Sequence, residues 1–378
     1  MPGATTVSRY TIVDVGAPSP ALYTAPSADA FNNAGQIVGT AVSVTAKRTD
    51  CFLYAGDGRF SPISGGSGGG DCFPFAISNP DAAQTVRIVG TFSSTYAAPH
   101  AFYAVVNASG TTLSALAQNV PSELTGVNSA GKAVGDAYYR PAGGFFSTSP
   151  MFESAAGPTI VVAQQQCTSY RLFCALNVPD NRYACSFGGC QINDAGTILG
   201  FDAQSGHLLT RTFGEPMSGR HLPIVAAPAT ALVNGELIND ADQIAYSVIA
   251  TAPPNRISSY VYSIAHETTT PIPTLKGSSC AQSVLISLTN TGEVLGLAQQ
   301  CANSKDNVYF IWDPVRGTRN LSALIPSDPQ YSAIFPVGEN DKGQFLLNLT
   351  LKSGAVHWGI LEPANSVSAV GVRKAVEK

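Results

Sequence analysis

Residues equipped for catalysis or binding are sparse in this chain, and several recur at related positions. Of the five histidines, His100, His207 and His357 each open a short run of strand-forming residues. An imidazole there could act as a general base, since histidine titrates near neutrality. Its recurrence at one repeat position suits a packing role equally well. With the phenols of Tyr138 and Tyr183, the catalytic candidates are His100, Tyr138, Tyr183 and His207. A second group, Arg48, Tyr96, Tyr139, Arg140, Arg171, Arg182, Arg256 and Lys305, reads as ligand-binding. Guanidinium groups bond carboxylates in pairs and tyrosine rings stack on sugar faces. The plainer alternative is a set of ordinary polar loop residues. Asp29, Glu123 and Glu236 fall on inner strands, where they could line a channel, as structural partners of arginine or as acid and base beside a sugar.

Other signals are weaker. Gly65-Gly66-Ser67-Gly68-Gly69 fits the G-x-S-x-G pattern, but a nucleophile elbow needs a strand before it and a helix after it. No HxH or HExxH spacing is present, so no metal and no cofactor are expected. Asn239-Asp240-Ala241-Asp242 lacks the remaining ligands of a calcium loop. The turn carboxylates Asp194, Asp240 and Asp341 read as caps of their own turns.

The elements that must carry these groups repeat. Asn32-Asn33-Ala34-Gly35 is followed by Ile37-Val38-Gly39. Related segments begin at Asn79, Asn128, Asn193, Asn239, Thr289 and Asn340, at intervals of 47, 49, 65, 46, 50 and 51 residues. A period of that size lies in the range of propeller blades. The Asn or Asp caps a tight turn, and the glycine supplies the positive φ that rejoins the strand. The glycine closing the next strand (Gly39, Gly90, Gly135, Gly200, Gly296) suggests a bulge or a close backbone approach. A third strand follows, as at Cys51–Tyr54 or Val308–Trp312. A fourth follows that, as at Phe60–Ile63, Thr112–Leu116 and Asn320–Leu324. The last repeat has only three strands by Leu361, and the spare run Tyr10–Val15 would complete it and remove the open edges.

These turns, followed by His-Ala-Phe (literal at His100-Ala101-Phe102), resemble the HAF family of extracellular repeats over nearly the whole chain. The resemblance implies export and a repeating β architecture, and it supplies no catalytic residue.

The predicted fold is therefore all-β: a seven-bladed propeller of four-stranded antiparallel blades, closed by the N-terminal strand, as one domain over 1–378. The blades span 26–63, 73–116, 122–163, 188–226, 233–274, 282–324 and 332–362 with 9–15. A Cys-rich insertion occupies 164–190 and a tail 365–378. Short turns collect on one face and long loops on the other, where the function is expected.

Composition narrows the classes. The 378 residues carry 21 Lys and Arg against 25 Asp and Glu, a net charge of −4, and 44% are apolar. A basic face for phosphates is lacking, which argues against nucleic acid as a partner. The longest apolar stretch, near Leu222–Val233, is broken by Pro223 and Pro228, too short to span a bilayer. Met1–Thr6 does not read as a signal peptide. The chain is thus either cytosolic or a mature form whose leader has been removed. Eight cysteines without a CxxC favour the second, a secreted or periplasmic protein. The expected pairs are Cys51–Cys72, Cys280–Cys301, Cys167–Cys174 and Cys185–Cys190.

The reading that follows is an exported propeller, expected to be monomeric, binding a carbohydrate or other small polar or anionic ligand on its long-loop face. The alternatives are a polysaccharide lyase or hydrolase at that face, or a protein-interaction scaffold.

Overall fold

Each repeat is organised by its turn. In the first, Asn32 Oδ1 accepts hydrogen bonds from the backbone N–H groups of Ala34 (3.0 Å) and Gln36 (3.1 Å). Gly35 sits at φ +77°, and its N–H donates to the Asn32 carbonyl at 3.0 Å. Glycine reaches that conformation without a Cβ penalty. Gly131, Gly196, Gly292 and Gly343 hold the same place, with φ between +68° and +87°. In the fifth repeat Asp242 takes it, at φ +53°.

The structure is a computed structural model describing residues 10–63, 70–94, 97–115, 122–139, 147–154, 160–161, 183–184, 191–202, 208–212, 220–222, 231–250, 257–275, 282–299 and 308–364. These residues form seven antiparallel sheets. Sheet 1 runs Tyr23–Phe31, Ile37–Ser43, Thr49–Tyr54, Phe60–Pro62. Sheet 2 runs Asp71–Ile77, Val86–Ser94, Ala97–Asn107, Gly110–Ala115. Sheet 3 runs Ser122–Val127, Ala133–Tyr139, Ser147–Ser154, Ile160–Val161. In sheet 4, Tyr183–Ala184 and Gln191–Ile192 both pair with Thr197–Asp202, which Leu208–Thr212 and Arg220–His221 follow. Sheet 5 runs Ala231–Ile238, Gln243–Ala250, Ile257–Ser263, Thr268–Ile272. Sheet 6 runs Gln282–Leu288, Val294–Gln299, Val308–Asp313, Gly317–Asn320. Sheet 7 runs Tyr331–Glu339, Phe345–Leu351, Val356–Pro363, and its outer strand is Tyr10–Gly16 from the N-terminal side. That pairing registers Tyr10 with Pro363 and Val13 with Ile360, as the repeat arithmetic expects.

Several boundaries differ from the sequence reading. The fourth strand of sheet 6 is Gly317–Asn320, and the residues after it turn, with Leu324 N–H bonding the Leu321 carbonyl at 2.8 Å. Gly317, at φ +70°, closes the preceding turn so tightly that the strand starts there. Tyr183–Ala184 belongs to sheet 4 and not to an insertion loop, because a broken first strand still finds its partners on Thr197–Asp202. In sheet 2 the turn starts at Asp81, not Asn79. Asp81 Oδ1 accepts from Ala83 and Thr85, and Gln84 takes positive φ.

The first strand of each sheet contacts that of the next, and Tyr331–Glu339 in turn contacts Tyr23–Phe31. Apolar clusters fill the spaces between successive sheets. Phe102 and Ile88 pack with Cys51 and Leu53 between sheets 1 and 2, and Trp358 and Leu346 pack with Ile37 and Phe52 between sheets 7 and 1. The strand-closing glycines answer the expected close approach. A methyl at Gly39, Gly90 or Gly135 would overlap the carbonyl oxygen of Ser27, Phe73 or Glu123. At Gly39 it would also enter the ring of the fully buried Trp358. A one-residue bulge in the first strand, after Ala28, Pro74, Leu124, Leu285 and Pro336, accompanies this approach.

Hydrogen bonds between turns link the sheets. Asn32 Nδ2 donates to the Ser78 carbonyl (2.9 Å), Asn128 to Asn193 (3.0 Å), Asn193 to Asn239 (3.0 Å), Asn239 to Thr289 (2.7 Å) and Asn340 to Asn32 (3.2 Å). The turn carboxylates accept from the preceding repeat rather than capping their own turns. Asp194 Oδ1 bonds Ser129 N–H, Asp240 Oδ1 bonds Asp194 N–H, and Asp341 Oδ1 bonds Asn290 N–H. The first-position asparagine oxygen already caps the turn in the fourth, fifth and seventh repeats, which leaves the second-position carboxylate for the neighbouring sheet.

Two substitutions test this description. Asn239→Asp keeps the shape but turns a buried donor toward the Thr289 carbonyl into an acceptor. It is expected to cost about 3 kcal/mol in urea unfolding. Gly39→Ala should cost ~1–3 kcal/mol through overpacking against Ser27 and Trp358.

Candidate functional site

Residues at the turn ends of all seven sheets line a cavity of about 250 Å³. Its lining includes Asn33, Asn79, Asp194, Asp240, Asn290 and Asp341, all from the second turn position or its equivalent. Asn290 Nδ2 donates to Asp240 Oδ2 (2.9 Å) and Asp341 Oδ2 (2.8 Å), so amides and carboxylates form a connected rim.

Above the rim run the first strands, and the exposed apolar side chains on them are the feature that sequence reasoning missed. Phe73 (37% exposed), Phe75 (42%), Val284 (38%) and Phe335 (48%) all lie there. Phe73, Val284 and Phe335 occupy one register position, just before the residue opposite Gly90, Gly296 and Leu347. Ser27 and Glu123 hold that position in sheets 1 and 3, so the expected channel-lining place of Glu123 is shared with large apolar groups. The signal was present in the alternation of Asp71–Ile77, where Cys72 and Pro74 are buried and Phe73 and Phe75 are not. Phenylalanine in a strand reads as core until its phase is set against its neighbours.

Asp29 sits at the bulge of Tyr23–Phe31. Its Oδ1 accepts from Ser27 Oγ at 3.2 Å, and its Oδ2 has no hydrogen-bond partner. Burial raises its pKa to about 7, against partial offset by the Ser27 and Thr40 hydroxyls.

At the other end of the sheets lie two polar groupings. His357 Nδ1 is 3.0 Å from both oxygens of Asp14, Tyr331 Oη donates to Asp14 Oδ2 at 3.3 Å, and the Gly16 N–H donates to Oδ1 at 2.8 Å. This group ties the N-terminal strand to sheet 7. Burial, then the Asp14 charge, pushes the Tyr331 phenol up to about 12. In the second grouping Arg48 Nε pairs with Asp50 Oδ1 at 2.9 Å, and Asp71 Oδ1 accepts from Thr49 N–H beside the Cys51–Cys72 disulfide. That disulfide is the pairing expected, with Cα atoms 5.5 Å apart.

Among the described residues, the remaining site candidates do not come together as a ligand set. Arg48 is taken by Asp50. Tyr138 and Tyr139 lie in the strand Ala133–Tyr139, not in a loop, opposite Thr148 and Ser147, because that hairpin extends past its expected end. Tyr183 pairs with Asp202. His100 lies in Ala97–Asn107 opposite Phe92, with its Nδ1 buried and unpartnered. Tyr96, Arg140, Arg171, Arg182, His207, Arg256 and Lys305 lie outside the described residues, as do Cys167, Cys174, Cys185, Cys190, Cys280 and Cys301. Among the described residues no helix is long and apolar enough to cross a membrane.

No family model matches the chain, and no curated protein matches it. Solved structures do. Prolyl oligopeptidase B from Galerina marginata, bound to a 35mer hydrolysis and macrocyclization substrate, is 10% identical with a TM-score of 0.51, over 91% of this chain and 48% of that one. A structure from a study of two prolyl endopeptidases is 11% identical with a TM-score of 0.50, over 91% and 50%. The β-propeller domain of the Trilobed protease from Pyrococcus furiosus is 10% identical with a TM-score of 0.47, over 79% and 83%. The chain thus spans about half the length of the prolyl peptidases it matches. Its all-β fold of four-stranded antiparallel sheets has β-propeller neighbours. These comparisons run against the expected carbohydrate-binding function, since the structural neighbours are prolyl peptidases.

Asp29 yields a pH prediction. A carboxyl whose folded pKa is raised contributes fully below its unfolded value, and that stability is lost as pH rises through the folded value. Wild type should lose on the order of 4 kcal/mol between about pH 4 and pH 7 through this group. Asp29→Asn should flatten that limb in urea unfolding curves measured across pH; identical pH courses would remove the assignment.

Proposed function

We propose that the chain is a closed seven-bladed β-propeller, its last blade completed by the N-terminal strand, whose axial passage receives a segment of polypeptide. Closure is supported by the pairing of Tyr10–Gly16 with Val356–Pro363 and by the bonds returning from Asn340 and Asp341 to Asn32 and Asn33. The observation that carries the peptide reading is the exposure of Phe73, Phe75, Val284 and Phe335 above a rim of amides and carboxylates. An extended peptide presents backbone N–H and C=O groups together with apolar side chains. Rim oxygens accept the first, rim amides donate to the second, and the phenyl rings bury the third. The prolyl peptidases among the structural neighbours lend the same substrate class. The reading assigns binding to this chain and leaves bond cleavage to other residues or another unit. Export and membership of the HAF-type repeat family belong to the same proposal, supported by the Cys51–Cys72 disulfide and the recurring turn.

Calorimetric titration with a panel of proline-containing apolar peptides tests it, with a uronate oligosaccharide as the control. Binding of a peptide is expected, weakened about tenfold or more, some 1.4 kcal/mol, in the double variant Phe73→Ala, Phe335→Ala. Both rings are exposed, so the variant should fold. Peptide binding that is indifferent to both rings, or no binding across the panel, would overturn the reading.

A further inference from the structure

Glu339 ends the first strand of sheet 7 and is only 8% exposed. Among the described residues neither of its carboxylate oxygens has a hydrogen-bond partner, while its backbone N–H donates to Ser287 Oγ of sheet 6 at 3.0 Å. The nearest negative charge acting on it is that of Glu293, across the seam between the two sheets. Glu293 Oε2 accepts from Arg316 Nη2 (2.7 Å) and Arg319 Nη2 (2.9 Å). Asp313 Oδ2 accepts from Arg316 Nε (2.7 Å) and Arg319 Nη2 (2.9 Å). The charges of the two guanidinium groups are therefore already balanced by two carboxylates, although Arg319 Nε is buried without a hydrogen-bond partner among the described residues. A third negative charge at Glu339 would be buried and uncompensated, which costs far more than holding a proton.

We propose that the buried Glu339 carboxyl holds a proton at the seam between sheets 6 and 7, and that loss of this proton loosens the seam beside the turn-lined cavity. The seam's turn contacts stand next to this carboxyl: Asn290 donates to Asp341 through its N–H at 2.6 Å and its Nδ2 at 2.8 Å. Asn290, Glu339 and Asp341 all line the cavity, so a looser seam widens its rim. Burial, then the neighbouring Glu293 carboxylate, raises Glu339 well above the usual glutamate range, and Arg319 and Arg316 offset this only in part. Tyr10 faces the same cluster from the outer strand of sheet 7. Burial, then Glu293 and Glu339, raises its phenol to about 12, so it stays neutral while Glu339 titrates. The groups around Glu339 are thus Glu293, Asp313, Arg316, Arg319 and Tyr10. The stability this proton provides is complete below the ordinary glutamate value and is lost as pH rises through the folded one.

Asp29 titrates in the same direction, so the experiment uses the Asp29→Asn protein as its background. Backbone amide exchange is followed by mass spectrometry over peptides spanning 285–296 and 336–344, corrected for the intrinsic pH dependence of exchange. Protection of both segments should fall as pH rises, and Glu339→Gln should hold it level. The same pH course with and without Glu339→Gln overturns the proposal. Should that variant not fold, infrared spectra of the Asp29→Asn protein decide. A protonated-carboxyl C=O band is expected at pH values above the ordinary carboxylate range, bleaching as the seam loses protection. Absence of that band overturns the proposal.

Discussion

The amide of the first turn residue is the interaction on which the rest of this structure depends. In Asn32, Asn128, Asn193, Asn239 and Asn340 its oxygen organises the turn, and its nitrogen reaches a carbonyl of the next sheet. One side chain thus settles local geometry and neighbour spacing together. Aspartate could do the first but not the second, because an ionised carboxylate only accepts. These asparagines are buried, where an unmade bond to a carbonyl costs more than the made bond contributes.

The two repeats that lack this asparagine show what the constraint requires. In sheet 2 the turn residue is Asp81, and Arg87 supplies the missing donor. Its Nη1 bonds the Ser129 carbonyl of sheet 3 at 2.8 Å, while its Nη2 holds Asp81 Oδ2 at 2.9 Å. The Thr85 N–H, then the Arg87 guanidinium, keep the Asp81 carboxyl below its ordinary range. In sheet 6, Thr289 Oγ1 bonds the Glu293 N–H at 3.0 Å, and Asn290 makes the link onward to Asp341. Composition varies, but a donor always crosses to the next sheet at the turn end or one residue beyond it.

A seam joined at its turns and filled by apolar clusters leaves the first strands with one face unpartnered. The loop arginines and tyrosines were chosen from the sequence for their chemistry, yet Arg48 is spent on Asp50 and Tyr138 and Tyr139 fall within a strand. Phe73, Phe75 and Phe335 were passed over because aromatic residues in strands ordinarily mark a core. Their exposure follows from phase relative to Cys72 and Pro74 and from a bulge that reverses the alternation, and both depend on strand pairing. The raised acidity constants of Asp29 and Glu339 likewise come from surroundings assembled from distant parts of the chain.

What the amino-acid order determined alone was everything local and periodic. The turns with their positive-φ glycines, the four strands per repeat and the spare strand at Tyr10–Gly16 were legible because each rests on residues a few positions apart. The glycines opposite the bulges were legible too, although not the carbonyl oxygens that require them. The Cys51–Cys72 pairing followed from the repeat register. Tertiary structure alone decided which charges meet and which side chains stay uncovered. Glu293 and Glu339 lie 46 residues apart in the chain, as their numbers give, and Asp14 and His357 lie 343 apart. No spacing rule relates such pairs, since their meeting depends on how whole sheets stack, and stacking is settled by the volume and phase of side chains across every seam.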